Sequence, residues 1–171
     1  MSIAQVYLAE FEIQAPITRR FLERLPEDKL RWQPHPRSLS AGQLAFHIAS
    51  VPGGLARFVQ RLWAPVPEFN FHEPGSVAEI LKAHDDGAAT VREVLPQFTD
   101  ADMAYVWRMM AGVQEVFAQP RGLFLRDVML NHWYQHRGQF AVYLRLLDVP
   151  VPSSWGPSAD EVPANMQLQM A

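Results

Sequence analysis

The sequence predicts an all-α protein folded as an antiparallel four-helix bundle. The chain has 171 residues, the usual size of one domain, and 49% of them are hydrophobic, which is enough for a sizeable core. Its fourteen prolines stand mostly between four long windows, and proline ends helices because it lacks an N–H donor. Within each window apolar residues recur at steps of three and four, the period of an amphipathic helix. Four such windows with connectors of moderate length are typical of a bundle.

The first two windows begin at residues that cap helices well. The first predicted helix covers residues 2–25, with Ser2 as its cap. The second covers residues 40–63, with Ser38 or Ser40 as its cap. A serine hydroxyl accepts a hydrogen bond from one of the first free N–H groups of a helix, so these positions predict where the helices start.

Each of these two windows also contains an internal proline. We expect Pro16 to kink or split the first helix, and we expect the run Pro52-Gly53-Gly54 to distort the second. The distortion would lie little more than one turn after His47.

The second half of the chain predicts two further helices and one region of different character. The third helix covers residues 76–95, capped by Ser76, and the fourth covers residues 121–148. Between them, residues 100–118 lack a helical period, and we expect a short hairpin turning near Gly112 or irregular structure.

The chain after Val149 predicts an extended segment rather than another helix. It carries four prolines and three serines, which oppose regular helix. We therefore predict a single domain over residues 1–161, ending in an extended strap, and a C-terminal tail over residues 162–171.

Composition excludes several classes of function. The formal net charge of −3 and the lack of a basic cluster argue against a nucleic-acid surface. Because the chain has no cysteine, a disulfide, a thiolate metal site and a cysteine nucleophile are all excluded. No apolar run approaches the length of a membrane span, and the N-terminus lacks the pattern of a signal peptide. We expect a cytoplasmic protein that acts neither on membranes nor on nucleic acid.

Two histidines, His132 and His136, carry the strongest chemical signal. Residues four apart on a helix point in nearly the same direction, so one divalent ion can contact both imidazoles. His47, on the apolar stripe of the second helix, is the best candidate for a third ligand. Three imidazoles would leave open positions for water or substrate, as catalytic zinc sites do. Trp133 stands where a metalloprotease motif needs glutamate, which argues against peptide hydrolysis by that mechanism.

The motifs in their order resemble those of the DinB-like superfamily. The matching segments are SAGQLAFHI at 40–48, HWYQHRGQFAVYLR at 132–145, the exit VPVPSSWGPSADE at 149–161 and the connector LRWQP at 30–34. The resemblance spans about residues 2 to 161. It implies a bundle of the DinB-like type, a divalent metal held by His47, His132 and His136, and homodimers. It also implies a relation to metal-dependent transferases or isomerases that use low-molecular-weight thiols. Zinc or nickel is the expected metal, with iron, manganese or cobalt as alternatives.

Several other residues could serve such a site. His84 could be a fourth ligand or a proton shuttle, although we expect a satisfied or partly exposed histidine near a solvated acidic pair. His72, together with Glu73, could line the mouth of the site, and Gln43 could hydrogen-bond a ligand ring. We expect Gln139 to serve in contacts with a helix or the strap.

Three functions are compatible with these features. The first is a metal-dependent enzyme of the thiol-transferase, isomerase or hydrolase type, with an unknown substrate and no separate general base in the sequence. The second is a non-enzymatic dimeric bundle that uses the metal for structure or binds a small ligand in a stress response. The third is a helical module that docks a partner without any metal.

Overall fold

The computed structural model describes residues 1–68 and 70–163 and is mostly helical. The last long helix is continuous but divided, because a π-helical segment lies between two α-helical parts. The helical elements are α1 (Ile3–Glu23), α2 (Ala41–Phe58), α3 (Val77–Val94), α4 (Asp100–Ala104), α5 (Arg121–Phe124), the π-helical segment (Leu125–Asn131) and α6 (His132–Leu146), with short 3₁₀ turns at Glu27–Lys29 and Leu95–Gln97. The chain thus has more helical segments than the four predicted.

The predicted caps are present at the starts of the first three helices. Ser2 and Ser40 each form a capping box, in which the serine accepts from a backbone N–H and a glutamine side chain returns the bond. Ser76 accepts from the Glu79 N–H at the start of α3. The internal prolines do not end their helices: α1 runs through Pro16 and α2 runs through Pro52.

Helices α2 and α3 approach each other closely at a pair of glycines. A Cβ added at Gly53 would lie 2.6 Å from the Cα of Gly87, which no side chain tolerates. Glycine at these two positions therefore lets the helix backbones touch, and this contact fixes where α2 lies in the bundle.

A small sheet corrects the all-α prediction. In the described part of the chain, β1 (Trp63–Pro65) pairs in parallel with β2 (Val106–Ala111), which pairs antiparallel with β3 (Gln114–Pro120). The β2–β3 hairpin turns at Gly112, whose φ of 61° suits glycine, so the hairpin alternative for residues 100–118 is confirmed. The second helix stops at Phe58 rather than at residue 63, and β1 follows it.

The sheet packs against one end of the bundle through a buried tryptophan. The Trp107 ring on β2 is fully buried and lies 5.2 Å from the ring of Phe58 and 4.7 Å from that of Phe124. These two residues stand at the end of α2 and the start of the last helix. Burial of a tryptophan against both helices stabilises the sheet, which is too short to be stable alone.

The chain from Val149 to Pro163 contains no helix or strand, as predicted for the strap, but it folds back on itself instead of running extended. Asp160 accepts from the Val151 N–H and pairs with Arg145, and Glu161 accepts from the Ser153 N–H and pairs with Arg20. These bonds tie the strap to both α6 and α1. Most of the predicted tail, from residue 164 on, lies outside the described residues. None of the described helices combines the length and hydropathy that a membrane span requires.

Candidate metal centre

The structure brings together the three histidines that the sequence analysis singles out. His47 on α2 meets His132 and His136 on α6, and one nitrogen from each ring lies within 4.8 Å of the other two. The Nε2 atoms of His132 and His136 are 2.8 Å apart. The His47 ring stands nearly perpendicular to both other rings, at 84° and 86°. Three nitrogen lone pairs can therefore be directed at one point.

The π-helical segment sets the direction of His132. The His132 N–H donates to the carbonyl of Asp127, five residues earlier, instead of to the Val128 carbonyl as in an α-helix. The Val128 carbonyl faces the imidazole Nδ1 of His132 without forming a well-aligned hydrogen bond. It favours a proton on Nδ1, which leaves the Nε2 lone pair free for a ligand role.

His136 has a hydrogen-bond partner that also places the proton of its ring on Nδ1. Its Nδ1 lies 3.0 Å from Oε1 of Gln139, which can only accept, so Nδ1 carries the proton. The Nε2 atom is again left with its lone pair, and it faces His132. The expectation for Gln139 was therefore wrong. A spacing of three residues on a helix was the signal that could have identified this contact.

A buried hydrogen bond joins α2 to α6 beside the site. Pro52 has no N–H, so the Ile48 carbonyl four residues earlier lacks its helical partner. The indole N–H of Trp133 donates to that carbonyl at 2.9 Å, and Trp133 is 1% exposed. Ile48 follows His47 and Trp133 follows His132. The hydrogen bond therefore joins the two helices directly beside two of the three histidines.

The environment favours the neutral form of His47 and His132. Burial, together with the neighbouring rings of His136 and His132, lowers the pKa of His47 from 6.5 to about 4. Burial also lowers the pKa of His132. Neutral imidazole is the form that binds metals, so near neutral pH protons compete little for these nitrogens.

The donor set fits a divalent cation. Two neutral Nε2 atoms that face each other at 2.8 Å repel through their lone pairs unless a proton or a cation lies between them. Metal–imidazole bonds of about 2.0–2.1 Å in a tetrahedral site place donors roughly 3.4 Å apart. The three nitrogens lie within 4.8 Å of one another, so small ring movements reach that geometry and leave a further position open.

A small pocket of about 70 Å³ borders the site at His47. Two aromatic rings form part of its wall, and the Phe71 ring stands edge-on to His47 at 5.6 Å. The pocket is lined by Gln43, Phe46, His47, Ser50, Asn70, Phe71 and His72.

The mouth differs in detail from the sequence prediction. His72 does line it, but its Nε2 bonds to Glu79 at 2.6 Å rather than to Glu73. Glu73 instead accepts from the Ser40 hydroxyl. The Gln43 side chain serves the cap of α2 and the Phe71 carbonyl, so the structure gives it no bond to a ligand ring.

His84 lies apart from the cluster. It is 5% exposed, its Nδ1 lies 3.3 Å from Asp85 Oδ1, and the Ala15 backbone faces its ring. Burial lowers its pKa. It is absent from the group of donors around His47, which argues against a fourth ligand. Asp85 is its acidic neighbour, as expected, but the ring is buried rather than partly exposed.

Comparisons with known proteins give one consistent family. The family described as the DinB superfamily matches residues 10–140. The uncharacterized protein YrdA of Bacillus subtilis (strain 168) is 24% identical over 160 residues, covering 91% of this chain and 89% of that protein.

Two solved structures share the fold. A DinB-like protein from Bacillus cereus ATCC 10987 superposes with a TM-score of 0.67 at 21% identity, covering 87% of this chain and 95% of its own. The DinB-like protein YjoA from Bacillus subtilis has a TM-score of 0.62 at 18% identity, with 85% and 94% covered. At these identities the similarity concerns the fold.

Proposed function

The chain belongs to the DinB superfamily, and from the site that its helices form we propose that it is a divalent-metal-dependent enzyme. His47, His132 and His136 hold the ion. The observation that carries this proposal is the meeting of three imidazoles, two of them with Nε2 atoms 2.8 Å apart. Without a proton or a cation between them, the two facing lone pairs of this half-buried group would repel each other.

The bound ion supplies Lewis acidity, and it lowers the pKa of water or of a thiol that reaches it. The protein's own residues do the rest. Gln139 holds the His136 imidazole in the tautomer with Nε2 free. The Phe46 and Phe71 rings narrow the mouth and limit access of water.

A hydrogen-bonded pair at the mouth adds a proton acceptor that the sequence analysis did not identify. When neutral His72 donates from Nε2 to Glu79, its Nδ1 keeps a lone pair. A carboxylate that orients an imidazole in this way is the arrangement used by general bases. His72 lines the same pocket as His47, so it can take a proton from a substrate at the mouth.

The reaction class follows from the family resemblance. We propose thiol transfer, with isomerisation or hydrolysis as the other reactions that an open three-histidine site supports, and a low-molecular-weight thiol as the co-substrate. A homodimer in the cytoplasm belongs to the same proposal. Sedimentation velocity and cell fractionation test these two points.

One observation favours a second function, in which the metal is structural. The ligands come from two helices, so a bound ion would cross-link α2 and α6. A structural metal predicts that the metal-free protein is unfolded at 25 °C, as small domains with structural zinc are. An enzyme site predicts a folded metal-free protein, stabilised by metal only through mass action.

Elemental analysis of purified protein tests the proposal. We expect about one divalent ion per chain in the wild type and loss of that ion in His47→Ala, with metal affinity reduced by at least two orders of magnitude. His35→Ala is the control, because His35 is exposed in a connector, and we expect it to keep the metal. Full metal content in His47→Ala would overturn the proposal. Circular dichroism with and without chelator then separates the enzyme from the structural site.

A further inference from the structure

An apolar groove of about 400 Å³ runs along α2 beside the metal site. Its apolar lining comes from Val51, Leu55 and Phe58 on the helix and from Pro67 on the chain that follows β1. A volume of this size is within the range of small-molecule sites. Glu68 is the only charged residue among those of the described chain that line the groove.

The groove continues the metal site rather than lying apart from it. Ser50 borders both the groove and the small pocket at His47. Gly54 and Phe58 lie seven and eleven residues after His47, which places both within about 20° of its direction on the helix. The opposite wall is also shared: Pro67 and Glu68 border the groove, and the pocket at His47 is bordered by residues 70–72 of the same connecting segment.

We propose that this groove binds the apolar tail of a small molecule whose polar head reaches the three histidines. The inference rests on the proposed metal site, because the metal anchors the head. Gly54 lies about 10 Å along the helix axis from His47, so a tail that reaches it needs on the order of eight carbons joined by bonds of about 1.5 Å. Among the described residues that line the groove none is basic, and the tail is therefore an uncharged aliphatic chain rather than an anionic one.

Alkyl hydroxamates of increasing length test this assignment on the zinc-loaded protein. The hydroxamate head binds zinc whatever the length of its tail, so the series isolates the groove. We expect the dissociation constant to fall about fourfold for each methylene that is buried. Octanohydroxamate should bind at least about a hundredfold more tightly than acetohydroxamate in isothermal titration calorimetry, allowing for methylenes that are only partly buried.

A matched pair of glycine variants locates the effect. A Cβ at Gly54 meets nothing within 4 Å, so Gly54→Leu fills the groove without a backbone clash and raises helix propensity. We expect it to keep acetohydroxamate affinity within about threefold and to abolish the gain with chain length. Gly138→Leu is the control: its site is equally open, and two residues of helix place it about 200° from His136. It should behave as the wild type.

The failures of the two proposals are distinguishable. Equal affinity of the wild type for the short and long hydroxamates would overturn the proposal that the groove binds a tail, but it would not contradict the metal site. No binding of either, with no zinc retained, would overturn the metal site itself. A change of sedimentation coefficient in Gly54→Leu without any dependence on chain length would make this face a contact between copies of the chain, and the tail assignment would be wrong.

Discussion

The two sides of the three-histidine site are held by contacts of different kinds. On the inner side, the Trp133 indole donates to the Ile48 carbonyl across a buried contact between α2 and α6. On the outer side, the segment of residues 70–79 closes the mouth through the pair of His72 and Glu79, whose side chains are 50% and 41% exposed. The inner contact adjoins the ligands in sequence. The outer contact involves no ligand.

The contribution of each contact to stability depends on its exposure to solvent. Removing the partner of a buried acceptor costs about 1–3 kcal/mol, because the acceptor is left without water. Exposed ion pairs contribute little, since water and salt replace them. The inner side therefore positions the imidazoles, and the outer side controls access at small cost to stability. Metal affinity and substrate access can change independently in such a site.

The largest effect that tests this comparison is expected for Trp133→Phe. The variant keeps the aromatic ring, which stacks on Phe11 at 5.2 Å, but loses the indole N–H. The Ile48 carbonyl is then buried without a donor, because Pro52 supplies none. We expect unfolding to become about 1–3 kcal/mol easier. We also expect zinc affinity to fall on the order of tenfold, as for other contacts that orient ligands. Urea unfolding and zinc titration measure the two effects.

Pro52→Ala provides the control within the same contact. Alanine restores the N–H that a helix directs at the residue 48 carbonyl, so Trp133→Phe should cost less in the Pro52→Ala background. A double-mutant cycle should give a coupling of at least about 0.5 kcal/mol. Additive effects of the two substitutions on the free energy of unfolding would show that the Trp133 indole does not stabilise the protein through the Ile48 carbonyl.

Local features of this fold were predictable from the sequence. Ser2, Ser40 and Ser76 cap helices because each hydroxyl acts on an N–H three residues later. The pair of His132 and His136 was equally predictable, because helix geometry alone places residues four apart together.

Non-local features were not predictable. Strand β1 exists because Trp63–Pro65 pairs with Arg108–Met110, far along the chain, and residues 40–63 alone look helical. The Trp133–Ile48 bond spans 85 residues, although Pro52 was a local sign that the Ile48 carbonyl needed a donor. The π-helical segment before His132 has no signal in the period of apolar residues that we can identify.

The pH dependence of the stability of the metal-free protein tests whether His47, on the inner side of the site, is desolvated. Well above pH 6.5 His47 is neutral in both the folded and the unfolded chain. Between pH 6.5 and about 4, His47 binds a proton in the unfolded chain but not in the folded chain. The free energy of unfolding therefore falls as the pH is lowered through this range. We expect the Tm of the metal-free protein to drop between pH 7 and pH 4.5.

Comparison with His47→Asn isolates the contribution of this imidazole. Groups remote from the site, among them buried His84, titrate in both proteins and cancel in the difference. The Tm of His47→Asn should therefore fall less between the two pH values, by several degrees in differential scanning calorimetry. Equal falls would mean that His47 is not desolvated in the folded chain.

The smallest effect is expected on the outer side, for Glu79→Gln. Glutamine can still accept from the Gly75 N–H, a contact that, with His72, keeps the pKa of Glu79 below its ordinary value. Because the pair is half exposed, we expect Tm to fall by at most about 3 °C. Zinc affinity should stay within about threefold of the wild type, since no ligand touches this pair. Glu73→Gln, which alters a neighbouring contact to the Ser40 hydroxyl, is the matched control. If Glu79→Gln weakened zinc binding tenfold while Glu73→Gln did not, the outer side would also position the ligands, and access and affinity could not be separated in this protein.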